Sequence, residues 1–251
     1  MVRTLLIRGM LAGLAAGVVY FVFAFVFGEP ALEAAIAYEE QLAVAAGEAS
    51  DGAPLVSRGV QATLGLAVAA LVYGVAIGGL FALVYAVIYG RVGRLSPRST
   101  AAVTALVAFV VISLVPFLKY PANPPASSVD ETIGQRTGLY VVMILFSVVL
   151  AVGAILLGRR LLRRWGAWNA TLIGTGAYVV AAGIVGLFMR PIDETPPDFP
   201  AVVLYDFRLA SIGGQLVLWA TLGLVFGALV DGRSRRRPIP ADPVTRIDRE
   251  S

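Results

Sequence analysis

The sequence predicts an all-α membrane protein with six transmembrane helices. One polytopic domain would cover residues 1–230, and a basic, disordered cytoplasmic tail would cover residues 231–251. The chain has 251 residues, of which 58% are hydrophobic and only 14% are charged, whereas soluble domains carry about 25% charged residues. Apolar windows of about 20 residues, long enough to span a bilayer core as helices, recur along the chain. Basic residues concentrate in alternate connecting segments, which is typical of multi-pass membrane proteins.

Six apolar segments contain no Asp, Glu, Lys or Arg, and we predict that each spans the membrane. They cover residues 9–27, 60–89, 100–118, 137–158, 167–189 and 209–230. A charged residue at the centre of a span costs about 2.5–3.5 kcal/mol on insertion scales, so the absence of charge supports these bounds. The second segment is long, and we expect it to tilt or to extend beyond the membrane surface.

The connecting segments alternate between basic and acidic composition. One side of the predicted topology holds 15 Lys and Arg residues, and the other holds 5. Because excess Lys and Arg marks the cytoplasmic side of a cell membrane, both termini are predicted to be cytoplasmic, with three loops outside. The basic residues follow the ends of apolar segments, so they indicate contact with the lipid bilayer and not with nucleic acid.

The three predicted outer loops begin and end with similar residues. Each begins with a charged residue next to or near a proline, as at Glu29-Pro30, and each ends with an arginine at the start of the next span, namely Arg58, Arg136 or Arg208. This pattern favours three parallel two-helix hairpin repeats related by an axis along the membrane normal. The alternative is coincidence, since prolines commonly follow helix ends and arginines commonly lie at membrane interfaces.

Charged residues at the outer helix mouths form the first candidate site. In one interpretation, the outer arginines pair with outer acids and clasp the hairpins together, each exposed pair contributing about 0–1 kcal/mol. In the other, the charges surround a vestibule at the mouth of a pathway. The cluster consists of Glu29, Arg58, Lys119, Glu131, Arg136, Arg190, Asp206 and Arg208.

Polar side chains within or close to the spans form the second candidate site. They include Gln61, Asn169, Ser211 and Gln215. Such side chains either hydrogen-bond between helices or line a pathway, and the sequence leaves both interpretations open.

Glycines recur at four-residue spacing in the first two spans. Gly9, Gly13 and Gly17 form one series, and Gly74 and Gly78 form another. Small residues at this spacing let two helix backbones approach closely, so they predict tight helix packing.

Several strings of residues resemble the CbtA family, which comprises proposed cobalt transporter subunits of bacteria and archaea. The resemblance runs from about residue 3 to residue 230. The strings that carry it are Arg8-Gly9-Met10-Leu11-Ala12-Gly13, Phe25-Val26-Phe27-Gly28-Glu29-Pro30, Val56-Ser57-Arg58-Gly59-Val60-Gln61, Val115-Pro116-Phe117-Leu118-Lys119-Tyr120-Pro121-Ala122-Asn123-Pro124-Pro125, Glu131-Thr132-Ile133-Gly134-Gln135-Arg136-Thr137 and Phe207-Arg208-Leu209-Ala210-Ser211.

The resemblance implies a membrane subunit for cobalt uptake, with cobalt as the substrate, no resident cofactor, and a small single-span CbtB subunit as the partner. Many members of the family carry a His-rich first outer loop, but this chain contains no His and no Cys. A divalent cation would therefore meet oxygen or thioether ligands, and oxygen ligands suit harder cations. Glu29, Glu39 and Glu40 are candidate ligands, and a solvated acidic loop is the alternative interpretation.

No feature of the sequence predicts an enzyme. The chain lacks the His or Cys of a nucleophile–base pair, a phosphate-binding lysine loop and a carboxylate inside a predicted span. Polytopic enzymes and proton-driven pumps normally need ionisable groups within the membrane. The alternative to a transporter subunit is a non-transporting scaffold that docks a partner, which the absence of strong metal ligands favours.

Overall fold

A computed structural model describes residues 2–47, 56–91, 95–127, 130–192 and 195–231, and the side chains of all of these except residues 130–132. Within these ranges the secondary structure is helical, without strands, and the predicted all-α class is confirmed. The predicted disordered tail falls almost entirely on residues 232–251, outside the described residues.

Eight α-helices and three short π-helical segments make up the described chain. The α-helices are α1 Val2–Phe23, α2 Glu29–Ala45, α3 Arg58–Val60, α4 Leu66–Ile88, α5 Pro97–Ala108, α6 Val115–Lys119, α7 Asp130–Phe188 and α8 Ala201–Asp231. The π-helical segments join consecutive helices without a break: π1 Ala24–Gly28 joins α1 to α2, π2 Gln61–Gly65 joins α3 to α4, and π3 Phe109–Leu114 joins α5 to α6.

Five continuous helices in the described ranges are long and apolar enough to cross a membrane. They are Val2–Ala45, Arg58–Ile88, Pro97–Lys119, Ile133–Phe188 and Ala201–Asp231. The prediction of six separate helices is therefore wrong, because the fourth helix, of 56 residues, contains both the 137–158 and the 167–189 segments.

A single glycine explains why these two predicted spans are joined. Gly166 has φ 73° and ψ 168°, which is non-helical, and glycine adopts positive φ without a steric penalty. The two halves of α7 then lie side by side, since a Cβ added to Gly174 would sit 3.1 Å from the carbonyl oxygen of Ala154. The chain thus turns at one residue, where sequence analysis expected a connecting segment.

The glycines of α1 and α4 bring these two helices into backbone contact, as their spacing predicts. A Cβ added to Gly13 would overlap the carbonyl oxygen of Gly74 and lie 2.9 Å from the Cα of Gly78. One turn further along, a Cβ on Gly17 would lie 2.7 Å from the carbonyl oxygen of Ala70. Since larger residues would hold the axes apart, the predicted close packing is confirmed.

The buried core follows α8, which packs against α1 and α5. Leu218, Leu222 and Phe226 of α8 are completely buried, and the rings of Phe81 and Tyr85 from α4 pack edge-to-face against Phe226 with centroid distances of 5.2 and 4.9 Å. By contrast, α7 contacts the rest of the bundle mainly through π3 and α6. Most of its apolar surface is exposed, as expected for a helix in contact with lipid.

The two ends of the bundle are closed by different contacts. At the end that holds the described residues of segments 28–58, 119–136 and 190–208, which we call the outer end after the charge prediction, the ring of Tyr38 on α2 packs edge-to-face on Phe199 at 5.2 Å. Its hydroxyl donates a hydrogen bond to the carbonyl of Asp198 at 3.2 Å. At the opposite, inner end, Arg98 and Asp231 form an ion pair of 3.1 Å that ties the start of α5 to the end of α8.

Candidate functional site

The second outer loop folds over the end of the bundle and is largely buried. Tyr120, Pro124 and Ser127 are buried, and the hydroxyl of Ser127 donates to the carbonyl of Pro124 at 2.6 Å. Prolines at 121, 124 and 125 fix the backbone and remove amide donors. The loop carbonyls therefore need side-chain donors, because buried backbone acceptors are rarely left unpaired.

Two arginines from different helices supply these donors. Arg136, near the start of α7, donates to the carbonyl of Pro121 at 2.8 Å. Arg208, near the start of α8, donates to the carbonyl of Ala122 at 3.3 Å and to the side-chain oxygen of Asn123 at 2.7 Å. We call residues 120–127 with Arg136 and Arg208 the outer cap. The guanidinium groups of Arg136 and Arg208 repel each other. The carbonyl dipoles of Pro121 and Ala122 and the side-chain amide dipole of Asn123 offset that repulsion.

The outer cap also joins the second outer loop to the third. The hydroxyl of Tyr120 donates to the carbonyl of Arg190 at 2.8 Å, and burial raises the pKa of this phenol above its usual value. Together with Arg208, this contact ties both ends of the third loop to the second. The bonds run to backbone and amide oxygens, which the sequence pattern of charges did not indicate.

An ion pair closes the first outer loop. Arg58 on α3 contacts the carboxylate of Glu29 at 2.5 Å, and the side chains are 34% and 14% exposed. The Nε of Arg58 is buried without a hydrogen-bond partner among the described residues. Segments π1 and π2 flank the pair, and such segments occur frequently at functional sites.

Within the described residues, the side chains of the other charged candidates form neither an ion pair nor a hydrogen bond. Lys119 has its Nζ 5.9 Å from the centroid of the Tyr120 ring. Arg190 and Asp206 are exposed, and within the described part of the chain Asp206 forms no ion pair with Arg208. The side chain of Glu131 lies outside the described residues.

The candidate metal ligands do not converge in the described residues. Glu39 and Glu40 are exposed on α2, whereas Glu29 is engaged by Arg58. Within the described ranges, no three His, Cys, Asp or Glu side chains are grouped closely enough to hold a metal ion.

Three elements bring polar side chains together, with Ser113 and Trp219 buried, Gln215 half-buried and Tyr73 41% exposed. The hydroxyl of Ser113 in π3 donates to the side-chain oxygen of Gln215 in α8 at 3.3 Å, and the indole N–H of Trp219 donates to Ser113 at 3.0 Å. The phenol of Tyr73 in α4 also interacts with Gln215. We call Tyr73, Ser113, Gln215 and Trp219 the central polar cluster. It lies between the outer cap and the aromatic contacts of Phe226.

Sequence analysis selected Gln215 but missed the other three members of the cluster. Gln215 and Trp219 are four residues apart, so they share a helix face, and this spacing was a usable signal. Ser113 gave no signal in the sequence, because its contacts depend on π3. Tyr73 carried none either, because tyrosine is common in apolar helices near interfaces.

A separate pair of hydroxyls attaches α7 to π3. Ser147, from the first half of α7, donates to the carbonyl of Val111 at 2.6 Å and lies 2.7 Å from the hydroxyl of Tyr178 in the second half. The wider turn of a π-helix changes which carbonyls have intrahelical partners. This change accounts for a carbonyl that accepts a side-chain donor in the middle of an apolar helix.

The remaining polar candidates make local contacts or none. Gln61 donates to the carbonyl of Val56 at 3.0 Å, and Ser211 donates to the carbonyl of Phe207 at 2.7 Å. Asn169 is exposed near the inner turn of α7. The structure therefore brings only Gln215 of the four into contact with other helices.

Comparisons with known proteins agree with the resemblance in the sequence. No curated protein matches the chain, and no solved structure matches it. The model of one family, described as probable cobalt transporter subunit (CbtA), matches residues 2–231. This match covers all of the described helices, including the outer cap and the central polar cluster. With its long apolar helices, the chain is a multi-pass membrane protein, and it belongs to the CbtA family.

Proposed function

We propose that this chain is the membrane-embedded subunit of a transporter for cobalt or a similar divalent cation. The observation that carries the proposal is the family match over residues 2–231. The buried Ser113 and Trp219 and the half-buried Gln215, where π3 meets α8, agree with it, because polar side chains within a membrane bundle either join helices or line a path.

The proposed membrane arrangement has six crossings, both termini in the cytoplasm and three outer loops. Two observations support it. The positive φ of Gly166 lets the two halves of α7 run side by side, so that one long helix would account for two crossings. The 15 basic residues of the proposed inner segments, compared with 5 in the proposed outer segments, support this orientation.

Three parallel hairpins remain part of this proposal, with one departure. Arg58 and Arg136 each contact the beginning of their own outer loop, at Glu29 and at Pro121. Arg208 instead contacts the second loop, at Asn123. The third hairpin would therefore differ from the other two by closing over its neighbour.

The proposed pathway leads from the outer cap through the central polar cluster to the inner end. Gln215, Ser113 and Tyr73 offer neutral oxygen atoms, which suit brief contact with a hydrated cation better than stable coordination of a dehydrated one. Beyond them, the edge-to-face contacts of Phe81 and Tyr85 with Phe226 fill the inner half of the bundle. The path is thus covered at both ends in this conformation, and transport would need alternate opening of the two ends.

Radiotracer cobalt uptake tests the proposal. The chain is expressed alone and together with a small single-span partner subunit, with nickel as the competitor and an empty vector as the baseline. Gln215→Leu removes the amide at the centre of the cluster, and we expect it to lower uptake. Asn169→Leu is the matched control, because Asn169 is exposed and has no hydrogen bond in the described residues, so its uptake should equal that of the wild type.

A non-transporting scaffold is the second candidate function. The absence of a metal-binding group of side chains in the described residues favours it. In that case the chain would co-purify with the partner subunit, but cells would accumulate no cobalt above the baseline. The Gln215→Leu variant would then lower the stability of the bundle without any effect on uptake.

A further inference from the structure

Four arginines lie next to the turn at Gly166, where α7 reverses. They are Arg159, Arg160, Arg163 and Arg164, and all four are exposed. The sequence contains no Asp or Glu from residue 132 to residue 192, so this hairpin cannot neutralise them itself. Within the part of the chain that the structure describes, none of the four forms an ion pair or a side-chain hydrogen bond. Four neighbouring guanidinium groups thus present a concentrated positive charge.

Three of these arginines share a cleft with an apolar side chain. Leu156, Arg159, Arg160 and Arg163 line an open cleft of about 430 Å³. Their spacing of three and four residues places them on one face of α7. The three guanidinium groups therefore lie beside the apolar side chain of Leu156, which forms the apolar wall of the cleft.

The apolar wall continues away from the cleft, along the same face of the helix. Val149, Val152 and Leu156 follow one another at intervals of three and four residues, and they are 67%, 51% and 52% exposed. Close to the charged end, Trp165 and Trp168 are 49% and 77% exposed. Tryptophan favours the level of the lipid headgroups, so this pattern gives the cleft a headgroup end and an acyl-chain end.

We propose that this cleft, which we call the inner arginine cluster, binds the phosphodiester headgroup of an anionic membrane phospholipid. A guanidinium group donates two parallel hydrogen bonds to phosphate oxygens, and basic pockets beside transmembrane helices bind anionic headgroups. The exposed valines and Leu156 would contact an acyl chain of the same lipid. An excess of basic residues on one side of the membrane explains why arginines are present, but it does not require three of them to share one cleft with Leu156 at the end of an exposed apolar face.

Native mass spectrometry of the purified full chain tests the proposal. Detergent-solubilised protein receives phosphatidylglycerol, phosphatidylcholine or inorganic phosphate. We expect one phosphatidylglycerol molecule to remain bound, with retention at least about fivefold above that of phosphatidylcholine. Arg160→Gln with Arg163→Gln should abolish this preference. Arg3→Gln with Arg8→Gln removes the same charge from the predicted inner side and should leave it unchanged.

Three results would overturn the proposal. One is equal retention of the two lipids by the wild type. Another is an equal loss in both double variants, which would reflect overall charge alone. The third is inorganic phosphate that displaces phosphatidylglycerol, which would identify a site for free phosphate. If the Gln double variant does not fold, Arg160→Lys with Arg163→Lys keeps the charge but loses the paired donors, and we expect it to lower the lipid preference.

Discussion

Replacing Gly13 with alanine tests whether backbone contact between α1 and α4 stabilises the bundle. The added methyl group would overlap the carbonyl oxygen of Gly74 and would lie 2.9 Å from the Cα of Gly78. Ordinary van der Waals contact begins at 3.4 Å, so the second distance alone requires α1 and α4 to separate by at least 0.5 Å, the difference between 3.4 and 2.9 Å. Both obstacles are backbone atoms, which no change of side-chain rotamer can move.

The expected loss of stability follows from two opposing effects. Overpacking a well-packed interface costs about 1–3 kcal/mol, and a backbone obstacle places Gly13→Ala near the upper end of this range. Alanine favours the helix over glycine by about 1 kcal/mol. We therefore expect the free energy of unfolding of the variant to fall by about 1–2 kcal/mol.

Thermal stability of the detergent-solubilised chain, fused to a fluorescent protein, provides the assay. Samples are heated, and the fraction that still elutes as folded protein in size-exclusion chromatography is measured. Gly176→Ala is the matched control, because Gly176 lies in a helix and an added Cβ would meet no heavy atom within 4 Å. A Gly13→Ala variant with the same midpoint as the wild type and the control would refute the inference that these glycines set the helix separation.

Three further predictions concern side chains whose contacts cross between elements. Arg208→Ala removes two hydrogen bonds of the outer cap, and each bond from a charged donor is worth about 1.5–3 kcal/mol. The variant should therefore impair assembly and cobalt uptake more than Arg235→Ala does. Equal effects of the two variants would exclude both the clasp and the vestibule interpretations. Ser147→Ala and Tyr178→Phe should each lower the free energy of unfolding by about 0.6–1.7 kcal/mol. A double-mutant cycle that shows no coupling between the two substitutions would contradict the 2.7 Å contact between the hydroxyls. Tyr120→Phe loses only the hydroxyl that binds the third outer loop, so limited proteolysis of that loop in intact cells should become faster than in the wild type, and an unchanged rate would argue against this tie.

The positions of the apolar helices could be predicted from sequence because hydropathy and charge depend on composition alone. Every predicted span lies within one of the five long helices, except for residues 89 and 189, each one residue beyond a helix end. The contact of Gly13 with Gly74 was predictable for a related reason, since small residues at four-residue spacing have a single helical interpretation. The number of helices was not predictable, because the arginine-rich residues 159–165 remain helical and the chain turns at the positive φ of Gly166 alone.

The sequence indicated the arginine donors of the outer cap but not their acceptors. Arg136 and Arg208 stood out because basic residues are scarce on that side, but only one of their three acceptors, Asn123, is a side chain, and the other two are the carbonyls of Pro121 and Ala122. A backbone carbonyl has no residue identity, so no pattern of side chains could indicate it. The contacts of Ser113 and Ser147 were hidden for a similar reason, because they depend on the π-helical course of residues 109–114.

The continuous helix formed by α1, π1 and α2 links the glycine contact with α4 to the outer end of the bundle. Its 44 residues extend for about 66 Å at 1.5 Å per residue, so Tyr38 lies about 38 Å along the axis from the glycine contact at Gly13. A tilt of about 5° at that contact would displace Tyr38 by roughly 3 Å, by the same geometry. Its hydrogen bond to Asp198 is 3.2 Å long and could not survive such a displacement. A small change in the angle between α1 and α4 at the Gly13 contact would thus break the hydrogen bond between Tyr38 and Asp198 at the outer end.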